Sequence, residues 1–215
     1  MATMMTVGTA AQAAVIVPIS NTYGFTTTRL PELTDGVGIT KTDPNDPSTW
    51  INSGTDWKTE ESYADPLSGA TNGKLGWYAF DLGSTQSIDD IIVIAGNHSS
   101  RGSAGSVTLG SFNVYTADSP TVALSSSGDY DFASGGWTQR GGTFTVTSVG
   151  EILVLNQGVS AQFVGIEIMS DFDDGVFDDR TGMEEFAVTA IPEPSAAILA
   201  GLGLAGLTLR RRRRN

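Results

Sequence analysis

Apolar and polar residues alternate with a period of two in short runs along most of the chain. Before residue 195 no long segment shows apolar residues at helical spacing. Trp77-Tyr78-Ala79-Phe80-Asp81-Leu82 places Tyr78, Phe80 and Leu82 on one face of a strand. Ile91 to Ala95 is a continuous apolar run, the pattern of a strand buried on both sides. Phe112 to Thr116 and Phe144 to Val146 alternate, and Glu151 to Leu155 is a further strand candidate. Gln162 to Met169 points Val164, Ile166 and Ile168 one way, and Glu185 to Val188 closes the series. Twenty-six glycines and many Ser, Asp and Asn residues separate these runs, a composition of turns. Ser125 to Gly136 reads as a loop. The pattern predicts an all-β fold, a single antiparallel β-sandwich or jelly roll.

The pattern breaks at the C-terminus. Pro192-Glu193-Pro194 is an extended stop that continues neither a helix nor a sheet ladder. Ser195 to Leu209 follows, 15 residues without a charge, predicted to be a short hydrophobic helix. At about 22 Å such a helix is shorter than the roughly 30 Å of bilayer hydrocarbon, so it suits transient insertion better than a permanent anchor. Arg210, Arg211, Arg212, Arg213 and Arg214 form a cationic stop that the positive-inside rule keeps cytoplasmic. Proline motif, apolar helix and arginine cluster, in that order, resemble the PEP-CTERM sorting signal of exported bacterial proteins. The resemblance implies an exosortase-type processing enzyme as a partner of the tail, with membrane contact through the helix before processing.

The other end agrees with export. Met1 to Ala14 is uncharged and contains Ala11-Gln12-Ala13, a small-x-small cleavage pattern, although it lacks a basic n-region. Three regions are therefore expected: a signal-peptide remnant over 1–14, one β-sandwich domain over 15–190, and a sorting tail over 191–215. Without the five terminal arginines, 7 basic residues face 24 acidic ones, a formal charge of −17. Such a surface repels nucleic-acid phosphates and suits cations or neutral ligands such as glycans. The chain has no cysteine, so an exported domain must do without disulfides, and bound calcium is one substitute.

The order of motifs from Asn21 to Thr189 carries a second resemblance. Leu33-Thr34-Asp35-Gly36 precedes Asp46-Pro47-Ser48-Thr49-Trp50. The strand Trp77 to Gly83, the strand Ile88 to Ala95 and Phe112-Asn113-Val114-Tyr115 come next. Phe163-Val164-Gly165-Ile166-Glu167-Ile168 and Gly182-Met183-Glu184-Glu185-Phe186 complete the set. Together they resemble the discoidin, or coagulation-factor type C, family, the galactose-binding-like jelly roll of many bacterial carbohydrate-binding modules. Two departures stand out. The gap between Asp35-Gly36 and Thr49-Trp50 is longer than usual there, and Gly165 occupies a position where the family often carries Arg.

The resemblance implies a structural calcium held by Asp35, Thr49 and Glu185, with Asp46 as a substitute if the longer gap reroutes the loop. Hard cations take six to eight oxygens, and a glycine-bearing turn can offer several. In the carbohydrate binders that the chain resembles, polar loop residues at one end of the sandwich bond sugar hydroxyls beside an aromatic platform. The resemblance implies that role for Asn97, His98 and Arg101, which have the donors and acceptors. Phe172 and Phe177 lie in the acidic stretch Asp171 to Asp179 and either stack on a sugar or fold back onto the sandwich. Trp77 and Trp50 are expected to be buried, whereas Trp57 and Trp137 are possible platforms. With no cysteine, one histidine and no G-x-S-x-G elbow, catalysis is not expected. Two functions remain open: an exported surface or matrix module that binds a glycan or exopolysaccharide, and a non-catalytic adhesive envelope protein that binds protein.

Overall fold

The computed structural model describes residues 14–26, 30–37, 39–43, 46–52, 62–64, 66–96, 108–125, 127–172 and 181–191. The expected C-terminal helix and the segment before Ala14 lie outside them. Among the described residues there are eleven strands: β1 (Val15–Ile16), β2 (Asn21–Gly24), β3 (Ile39–Lys41), β4 (Trp50–Asn52), β5 (Ser62–Ala64), β6 (Gly76–Ile94), β7 (Leu109–Ala117), β8 (Thr138–Thr145), β9 (Ile152–Asp171), β10 (Thr181–Met183) and β11 (Glu185–Ala190). Every pairing among them is antiparallel. The only helical elements among the described residues are three short 3-10 turns, at Leu30–Thr34, Pro47–Thr49 and Thr71–Gly73.

Two strands are far longer than the sequence pattern suggests. The runs Trp77–Leu82 and Ile91–Ala95 join into the single strand β6, and Glu151–Leu155 joins Gln162–Met169 in β9. Gly83, Ser84 and Thr85 read as a turn, yet here they are a bulge in a continuing ladder. The β6–β9 register shifts between Asp81 and Gln86 and again between Ile88 and Asp90. Gly83 at φ 77° lies in the first shift and Gly158 at φ 55° in the second, a backbone region that costs glycine little.

These bulges bend both strands so that their halves belong to two layers. The first half of β6 pairs with β2 and with the second half of β9, which continues to β7 and β8. The second half of β6 pairs with β11, which carries β1. Phe80, in the first half, stacks on Phe186 with ring centroids 3.6 Å apart, although Phe186 is the ladder partner of Val93 in the second half. Two rings in face contact across that separation require the layers to lie face to face. Tyr78, Phe80, Ile91, Val93, Phe112, Val164, Ile166 and Ile168 fill the space between them.

The outer face of the first layer is covered as well. The segment between β7 and β8 crosses it, bringing Tyr130 and Phe132 onto Trp77 and Tyr115. Trp77 Nε1 donates to the Gly128 carbonyl at 2.7 Å. The expected loop is thus a lid of aromatic side chains. Gly165 lies under it: a Cβ there would stand 2.4 Å from Phe132 Cε1. The space that an Arg would need at this position is taken by a ring.

Candidate metal and ligand site

Glu185 opens β11 opposite Ile94 and is 2% exposed. Its Oε1 accepts the Gly36 backbone N–H at 2.9 Å, while Oε2 is buried without a hydrogen-bond partner. Gly36 sits at φ 74°, a left-handed conformation that lets the chain turn its N–H toward the carboxylate. Burial pushes the Glu185 carboxyl up to about 8; the Gly36 bond pulls it down, and the nearby charge of Asp35 raises it again. Asp35 itself accepts the Val37 N–H at 2.8 Å. The expected pair of Asp-Gly turn and last-strand Glu therefore meets.

Asp46 and Thr49 are engaged elsewhere, in their own turn. Asp46 caps it, accepting Ser48 N–H at 3.1 Å and Ser48 Oγ–H at 2.6 Å. Thr49 Oγ1 donates to the Asp46 carbonyl at 2.8 Å and accepts the Asp43 N–H at 3.0 Å. Lys41 links this turn to the other: its Nζ lies 4.5 Å from the centre of the Trp50 ring, and a Cβ on Gly36 would stand 3.0 Å from it. Trp50 is buried, with Nε1 donating to the Asp43 carbonyl at 2.9 Å. An orphaned buried carboxylate oxygen beside a second carboxylate is a fitting start for a hard cation. Among the described residues no group of three or more acidic or histidine side chains converges. Backbone carbonyls of the turn would have to complete such a shell.

The same end of the fold gathers the flanks of three segments. Asn52 Nδ2 donates to the Ala95 carbonyl at 3.3 Å and to Glu184 Oε2 at 2.6 Å. Gly96 N–H donates to Thr108 Oγ1 at 2.6 Å, and Phe172 N–H to the Thr108 carbonyl at 3.0 Å. In β10, Thr181 pairs with Ala64 and Met183 with Ser62, while Glu184 N–H bonds to the Ile94 carbonyl at 3.0 Å. Residues bordering 53–61, 97–107 and 173–180 thus lie together. Trp57, Asn97, His98, Arg101 and Phe177 belong to those segments and lie outside the described residues, as do Pro192, Glu193, Pro194 and Arg210 to Arg214. Phe172 is half-buried against the core. Trp137 is half-buried too, its Nε1 donating to Tyr130 Oη at 2.9 Å.

Sequence reasoning missed a charged network under the aromatic lid. Lys74 is buried; its Nζ donates to the Tyr130 carbonyl, lies 2.8 Å from Asp129 Oδ1 and 3.7 Å from Glu167 Oε1. Glu167 Oε2 accepts from Tyr115 Oη at 2.8 Å and Asn113 Nδ2 at 3.1 Å. Burial, and then the bond to Glu167, push the Tyr115 hydroxyl above its ordinary range. For Asp129 burial pulls upward, but hydrogen bonds from Lys74 and Thr71 outweigh it and hold the carboxyl well below the usual range. The one hint in the sequence is Glu167 itself, a carboxylate set among apolar strand residues.

Residues 190–214 match the family described as the PEP-CTERM protein-sorting motif. The chain carries this sorting signal. It marks an exported protein sorted to the cell envelope. Among the described residues no helix is long and apolar enough to cross a membrane. No curated protein matches the chain.

Solved structures similar to the domain include carbohydrate-binding modules. A truncated AlyQ with family 32 carbohydrate-binding and alginate lyase domains is 17% identical, at TM-score 0.48 over 85% of this chain. The chain spans 35% of that protein's length. The family 32 module of Clostridium perfringens NanJ, in complex with galactose, is 12% identical at TM-score 0.44, covering 82% of this chain and 98% of that one. An F5/8 type C domain from Bacteroides fragilis is 11% identical at TM-score 0.45, over 83% and 97% of the two chains.

Proposed function

We propose that this chain is an exported, non-catalytic binding module of the cell surface or matrix that recognises a glycan or exopolysaccharide. The observation that carries the reading is the convergence at one end of the fold. Asn52, Ser62, Gly96, Thr108, Phe172 and Thr181 border the segments that hold Trp57, Asn97, His98, Arg101 and Phe177. Aromatic faces and planar polar side chains in one loop cluster are what a sugar's apolar face and hydroxyls require. The discoidin-like order of motifs and the acidic surface, suited to a neutral ligand, point the same way. In this reading the domain is a galactose-binding-like jelly roll over 15–190. A structural calcium sits at Asp35 and Glu185, with backbone carbonyls of the Asp35-Gly36 turn completing its shell, and fixes the loop end without touching the sugar. The tail acts as the handle for an exosortase-type enzyme and contacts the membrane before processing.

A protein-binding adhesive role is the second reading, favoured by an apolar groove elsewhere. It has a volume of about 670 Å³ and is lined by Val15, Val17, Leu82 and Ile191, of which Val15 and Ile191 are exposed. Thermal melts of the purified protein against a glycan panel separate the two. A rise with one glycan that disappears in His98→Ala or Arg101→Ala supports the first. No response to any glycan, together with capture of a protein partner lost on Val15→Asp, supports the second.

A further inference from the structure

The charged network under the aromatic lid is used by neither reading. An ammonium sealed from water is costly unless paired, and Lys74 at 1% exposure is paired twice. The two carboxyls differ in kind. Asp129 comes from the lid and touches Nζ at 2.8 Å, so its Cγ lies at most one C–O bond farther. Glu167 comes from the second half of β9, is 1% exposed, and aims at Nζ from 3.7 Å an oxygen with no hydrogen-bond partner. Its other oxygen is pinned by Tyr115 and Asn113. Trp77, the ladder partner of Glu167, packs against Tyr130 with ring centroids 5.2 Å apart and planes tilted by 39°.

We propose that Lys74 and Asp129 condense into an intramolecular isopeptide bond, with Glu167 relaying the proton. The ammonium first gives a proton to the Asp129 carboxylate across the 2.8 Å contact; the ion pair is the resting form, and the neutral pair is the minor state from which the reaction starts. Nζ then attacks Cγ and the C–N bond forms. Glu167 takes a proton from the nitrogen and delivers it to the departing hydroxyl. The C–O bond breaks and one water leaves. Amine and carboxylic acid become amide and water, so nothing is oxidised or reduced. The Asp129 side chain is 35% exposed, which gives the water a way out. Groups held in contact this way reach effective concentrations of about 10⁵ M or more, which drives a condensation that free amines and acids do not undergo. In a chain without cysteine, the bond would tie the lid to the sheet as a disulfide does elsewhere.

The test is a tryptic digest of the full chain, weighed by mass spectrometry. Between Lys58 and Arg140 the only other basic residues are Lys74 and Arg101. The expected result is peptide 59–101, uncut at Lys74, joined to peptide 102–140 with a mass lower than their sum by one water. Separate peptides 59–74, 75–101 and 102–140 from the wild-type chain would overturn the proposal. Asp129→Ala must abolish the joined species. Glu167→Gln should slow its appearance by about a hundredfold, the scale of a lost proton relay; joining at the wild-type rate would overturn Glu167's part. The wild-type digest decides the bond by itself, whether or not either variant folds.

Discussion

Phe132 occupies the space that a side chain on Gly165 would need and stacks on Tyr115, ring centroids 5.0 Å apart and planes within 12°. A Cβ on Gly165 would reach 2.4 Å from one ring carbon and 2.9 Å from another. Trp77, Tyr130 and Trp137 surround the same ring, so it has little freedom to withdraw. Gly165→Ala is expected to destabilise the domain by about 1–3 kcal/mol, the usual cost of overpacking. Denaturant unfolding checks it, and an unchanged midpoint would show that the lid lifts freely.

Glu185 makes stability depend on pH with an unusual sign. Its folded value of about 8 lies above its ordinary 4.5, so between those values the folded chain keeps a proton that the unfolded chain has lost. Stability is then greatest below the lower value and falls as pH rises toward the upper one. Calcium favours the carboxylate and should shrink that fall. Melts in chelator at about pH 5 and pH 8 should show the wild type losing stability relative to Glu185→Gln, which cannot ionise. Added calcium should restore the wild type at the higher pH and leave the variant unmoved. Parallel pH profiles for both proteins would remove Glu185 as the titrating group.

Much of the fold was legible because strand burial is written in period-two alternation. Tyr78, Phe80, Val164, Ile166 and Ile168 face the core as their spacing predicts. The continuity of β6 and β9 was not legible, since Gly83-Ser84-Thr85 has the composition of a turn and only the ladder partner shows it to be a bulge. At the candidate metal site, the resemblance in motif order paired the Asp35-Gly36 turn with Glu185, and the Gly36 N–H does meet the Glu185 carboxylate. Of Lys74, Asp129 and Glu167, only Glu167 leaves a mark, as a carboxylate among apolar strand residues. The three meet only because the lid folds across the outer face, and no local pattern encodes which face a long loop covers.

The stacking of Phe80 on Phe186 supplies a test of the two-layer arrangement. The rings lie 3.6 Å apart with planes within 2°, and both are buried. Phe186→Ala should cost about 3–5 kcal/mol through lost burial and the cavity left between layers. Phe186→Leu keeps most of the apolar volume and should cost clearly less. Equal losses in urea unfolding would mean that face-to-face ring contact, not volume, holds the layers.

The loop end offers the last prediction, because its flanks are tied to the core by hydrogen bonds whose loss can be separated from loss of fold. Thr108 receives Gly96 N–H on its hydroxyl at 2.6 Å and Phe172 N–H on its carbonyl at 3.0 Å, so one residue holds the borders of 97–107 and 173–180 together. Thr108→Val removes the hydroxyl acceptor, leaves a buried N–H unpaired, and keeps the shape. It should cost about 1–3 kcal/mol of stability. If those segments form one sugar site, the variant should also bind its glycan more weakly at a temperature where it remains folded. A variant that loses stability yet binds as the wild type would separate the two segments from a shared site. That result would leave the Asn97, His98 and Arg101 segment to act alone.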